Sequence, residues 1–191
     1  MGARDVLEML MWTLGPSVVL TYVWLYYVIM RSPAASDALY AKRLWGVFGD
    51  RGFYFWTWFA SVWVCVAAFL YLSVWLCFVS DGAELVAHDW VMYPYGLFLG
   101  FSALYAPLLV YARPWIVVLD LTCVAASTIA LAVWTALYLT DTQEGVTACG
   151  LTVWLAVHCT LIDAFLWSYN WCYRPGYWDE DAHWQEVADH Y

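Results

Sequence analysis

The sequence predicts an all-α membrane protein, a bundle of five transmembrane helices in one domain spanning 1–191. Three observations predict it. The chain is 65% hydrophobic and 12% charged, where soluble domains carry about 25% charged residues. Five apolar stretches, roughly 6–30, 52–79, 91–111, 115–139 and 146–170, are each long enough to cross a hydrocarbon core of about 30 Å at about 1.5 Å per residue. Charged residues gather in the connections and in an acidic, aromatic tail, 171–191.

The first segment carries Gly15-Pro16, which predicts a kink. Tyr22, Trp24, Tyr26 and Tyr27 cluster toward its end, as an interfacial aromatic belt does. The connection that follows, 31–51, is the longest. Ser36-Asp37 can cap a short helix there, with Tyr40, Leu44, Val47 and Phe48 on one side, a pattern that suits a helix lying at the membrane surface. The second segment holds Trp56, Trp58, Trp63 and Trp75, and the loop after it is acidic. The third offers Gly96 and Gly100 at a four-residue spacing, a small-residue face where another backbone can approach closely, including that of a second copy in a homodimer. The turn at Ala112-Arg113-Pro114 is so short that segments three and four must be antiparallel neighbours. Segment four places Asp120, Ser127 and Trp134 at heptad spacing, hence on one face.

Segment five contains Thr160, Asp163, Trp167 and Asn170. On an α-helix these share one face. A polar stripe at bilayer depth points into a protein interior or a cavity. A carboxyl at mid-bilayer costs roughly 2.5–3.5 kcal/mol unless it is paired or protonated, so Asp163 is the least comfortable residue of the chain. His158 stands five residues earlier, about 140° around an α-helix, so the two are expected not to meet.

Charge placement predicts the orientation. Arg31, Lys42, Arg43, Arg51, Arg113 and Arg174 fall on one side of five crossings and Arg4 on the other. The positive-inside rule then puts the N-terminus outside and the C-terminus in the cytoplasm. The net charge of −9 and the lack of a basic patch exclude nucleic acid as a partner. The six cysteines form no C-x-x-C pair and read as small buried hydrophobes. The N-terminal segment is longer than a cleavable signal's core, and Val6 stands where a myristoylation site needs Ser or Thr. No nucleotide-loop, zinc-protease, nucleophile-elbow or kinase motif is present. No metal set is read either, because no second histidine lies in an apolar segment. Aromatic walls from Trp63, Trp134, Trp154 and Trp167 suit a flat, apolar ligand as well as they suit core packing.

Several stretches resemble the tryptophan-rich sensory protein family, also called the translocator or peripheral-type benzodiazepine receptor family. Gly96-Leu97-Phe98-Leu99-Gly100 with Ala103-Leu104 is similar to its third helix, and Ala112-Arg113 to the turn that follows. Val118-Leu119-Asp120-Leu121 through Ala125, Ala126 and Trp134 resembles its fourth helix. Trp154-Leu155-Ala156, then Thr160, Asp163 and Trp167, resembles its fifth, with one extra residue. The family's paired prolines and tryptophan at the start of helix two are absent, and Asp163 stands where it has an asparagine. The resemblance implies five helices, a long first loop on the cytosolic side, and binding of porphyrins, sterols or similar flat molecules in a pocket closed by that loop. The expected ligand-binding residues are Trp63, Asp120, Trp134, Thr160, Asp163 and Trp167. Two other readings stand beside it: a non-catalytic subunit of a larger membrane complex, and a membrane-embedded enzyme such as a sterol isomerase. The latter needs Asp120, His158 or Asp163 to meet across helices within hydrogen-bond reach.

Overall fold

The computed structural model describes residues 2–31, 53–79, 88–111 and 114–169. The surface helix expected in 31–51, the acidic second loop, most of the 112–114 turn and the tail lie outside the described residues. Five long helices are present: α1, Ala3–Met30; α2, Phe53–Val74; α3, Met92–Tyr111; α4, Pro114–Tyr138; and α5, Gln143–Val157. All five elements are long and apolar enough to cross a membrane. Among the described residues there is no strand. The chain is therefore an all-α, multi-pass membrane protein.

Helix α1 begins three residues before the expected boundary and runs through Pro16 without interruption. Two elements continue past their α-helical part in π-helical form: α2 through Trp75–Val79 and α5 through His158–Trp167. A π-helix bonds i to i+5, is rare, and is found frequently at functional sites. A short 3₁₀ turn, Asp89–Val91, leads into α3.

The helices close into a ring. Helix α1 packs on α3, α3 on α4, α4 on α5 and α5 on α2, and the π-helical end of α2 returns to α1. Two large apolar clusters hold the ring at its two ends. One joins Leu25, Val28, Tyr105, Leu109, Val117, Leu121 and Trp167. The other joins Leu7, Leu72, Trp75, Tyr95, Leu99, Leu131 and Trp134. Between them the third cluster has only Cys65, Val124, Leu155 and Cys159 fully buried.

Several hydroxyls inside the helices are satisfied locally, by a carbonyl of the preceding turn. Ser127 donates to the Cys123 carbonyl at 2.7 Å and Thr152 to the Ala148 carbonyl at 2.6 Å. Other polar links join helices. The Tyr95 hydroxyl donates to Ser73 Oγ at 2.9 Å, tying α3 to α2. Trp134 Nε1 donates to the His88 carbonyl at 3.0 Å, and the His88 ring stacks on Tyr138. The α4–α5 connection is tight: a Cβ on Gly145 would stand 1.7 Å from the Leu139 carbonyl oxygen. Thr142 caps α5 by accepting the Gly145 N–H at 3.0 Å.

Candidate functional site

The π-helical stretch changes which residues of α5 face one another. Over five residues an α-helix rotates well past one turn, whereas the wider π-helix, with its i→i+5 bonds, overshoots a full turn by much less. His158 and Asp163 are five apart, and their Nε2 and Oδ1 atoms approach to 3.6 Å. The expectation that they could not meet within one helix is therefore overturned. The distance is within ion-pair range and too long for a hydrogen bond. No Gly or Pro marks 158–167, so the sequence carried no signal for the change in winding.

The other ring nitrogen of His158 is held from α2. Ser61 Oγ lies 2.7 Å from His158 Nδ1, and both side chains are buried. Ser61, His158 and Asp163 thus form a polar chain from α2 to α5, with Cys65 and Cys159 beside it. A buried imidazole deprived of such a partner costs about 1–3 kcal/mol, so the Ser61 contact fixes the ring as well as orienting it. Ser61 had no motif around it; only the packing of α2 on α5 reveals it.

Asp163 is half-buried, with 31% of its side chain open. The small central cluster that holds its neighbours Cys65 and Cys159 packs against Phe69, Phe98 and Phe101.

The expected stripe on α5 is dispersed. Thr160 turns to the α4–α5 side and borders an open, apolar groove of about 470 Å³ with Ala132, Ala136, Val153 and Ala156. Trp167 is 3% exposed and packs in the cluster with Leu25 and Val117, edge-on to Tyr105 with ring centres 6.0 Å apart. Asn170 lies outside the described residues. The heptad on α4 does share one face: Asp120, Ser127 and Trp134 are all buried. Trp134 belongs to the opposite end cluster. Asp120 is 4% exposed, and neither carboxyl oxygen has a hydrogen-bond partner among the described residues. It therefore makes no direct dyad with His158 or Asp163. Trp63 is 58% exposed and stands edge-on to Phe59. It lies on the outer surface of the bundle, not in its interior. Gly96 is taken up inside the chain, since a Cβ there would meet Leu10 of α1 at 3.2 Å, while Gly100 has open space around it. Among the described residues no cluster could hold a metal ion.

No protein-family model matches the chain, and no curated protein or solved structure matches it.

Proposed function

We propose that this protein binds a flat hydrophobic ligand, of the porphyrin or sterol class, within the bundle beside Asp163, as a sensor or handling factor. The observation that carries this reading is the position of Asp163: within a membrane-crossing element, partly open, and backed by the Ser61–His158 pair. An intramembrane acid marks a functional site by default, and apolar walls with a few placed polar groups are what such pockets use. The resemblance in helices three to five points the same way. The excess of Lys and Arg around the first loop supports an N-terminus outside and a C-terminus in the cytoplasm. The test is quenching of tryptophan fluorescence by protoporphyrin or a fluorescent sterol in lipid nanodiscs. Saturable quenching that weakens in Asp163→Ala and Trp167→Ala is expected. Quenching that is unchanged in both variants removes this site.

A second reading, a non-catalytic subunit of a larger membrane complex, is favoured by the groove between α4 and α5. Its small residues, Ala132, Ala136 and Ala156, leave room for another helix. Migration of the native protein as a lone small species on a gel counts against it.

A further inference from the structure

The surroundings of Asp163 specify more than a flat shape. Two basic residues are described, Arg4 and Arg31, and both stand at the ends of α1. Arg4 pairs with Glu8 at 3.2 Å, and Arg31 lies over the Tyr27 ring at 4.0 Å. Neither reaches Asp163. Among the described residues, the groups that approach its carboxyl are the His158 imidazole, at 3.6 Å, and the Cys159 thiol. Cys65 faces it from α2. None of these carries a fixed positive charge. A carboxylate there has two oxygens and about four acceptor sites to satisfy, with a long contact to one ring N–H and a weak thiol donor on the protein side.

We propose that the Asp163 site takes an amphiphile with a protonated amine: the ammonium on the open side of the carboxyl, the apolar body among Phe69, Phe98 and Phe101. This rests on the ligand-binding reading and narrows its ligand class. An ammonium supplies the short charge-assisted hydrogen bonds that no described residue makes to the carboxyl. Aromatic faces add cation–π attraction, which grows when the cation is desolvated. Ser61 and His158 act as positioning residues. When the Ser61 hydroxyl donates to Nδ1, Nε2 carries the ring proton and turns it toward Asp163.

The experiment compares two probes on the full chain in zwitterionic nanodiscs: a dansyl-labelled long-chain primary amine, and the same molecule N-acetylated. The amine is expected to bind about tenfold or more tightly than its neutral twin. Asp163→Asn is expected to abolish that preference while retaining affinity for the acetylated probe. Asp163→Glu should recover part of it. Asp141→Asn, an exposed acid in the α4–α5 turn, removes the same charge and should change nothing. Retained binding of the acetylated probe shows that a variant is folded. Equal affinity of both probes for the native chain overturns the proposal, as does a preference that survives Asp163→Asn. Either result leaves the flat-ligand reading intact if the fluorescent sterol still binds saturably. Failure of every probe to bind removes both.

Discussion

Asp163 and His158 meet because α5 changes its winding between them, bringing Oδ1 to 3.6 Å from Nε2. The imidazole is then fixed at its other nitrogen by Ser61, 2.7 Å away on α2. Its two nitrogens therefore report on two different neighbours. Nitrogen NMR of ring-labelled His158 should respond at Nε2 to Asp163→Asn and at Nδ1 to Ser61→Ala. A single pair of ring shifts, identical in all three proteins, would show that the polar chain does not form.

The two helical glycines at opposite extremes of packing make a paired prediction. A Cβ at Gly145 would run into the Leu139 carbonyl oxygen, which is backbone and has little room to give. Gly145→Ala is expected to cost about 3 kcal/mol or more, at or above the upper end of overpacking effects, through a lost or rearranged α4–α5 turn. Gly100 has nothing within 4 Å of such a Cβ, so Gly100→Ala should stay within about ±0.5 kcal/mol. Reversible unfolding in mild detergent reads both. A neutral Gly145→Ala would mean that the turn is looser than its geometry.

The tryptophans divide by what surrounds them. Trp12, Trp63 and Trp115 are more than half exposed, at 67%, 58% and 62%, whereas Trp134 and Trp167 are buried. In bilayers of brominated lipid, single-tryptophan versions retaining Trp63 should be strongly quenched. Those retaining Trp134 should be quenched little, since its indole lies in the core and donates to the His88 carbonyl. Equal quenching of the two would place Trp63 inside the bundle after all.

Much of the fold was legible because hydropathy is a local property. A run of apolar residues long enough to cross a membrane must form a helix to satisfy its own backbone, and the five runs became the five helices. The heptad of Asp120, Ser127 and Trp134 was legible for the same reason: α4 keeps regular α-winding over that length, and all three residues are buried. Trp63 was not legible. In lipid both the core and the outer face of a helix are apolar, so periodicity does not tell a residue facing lipid from one facing protein.

The stripe on α5 shows where sequence stops. Composition alone determined that Asp163 sits within a membrane-crossing helix and needs a special environment. Reading positions 160, 163, 167 and 170 as one face assumed uniform α-winding. The tertiary structure winds 158–167 as a π-helix instead, sends Thr160 to the α4 groove and Trp167 into an end cluster, and sets His158 against Asp163. Which residues face one another along a helix depends on its hydrogen-bond register, and no glycine or proline in the segment announces the change. Which side chain completes the site from outside, Ser61, was decided only by the packing of α2 on α5.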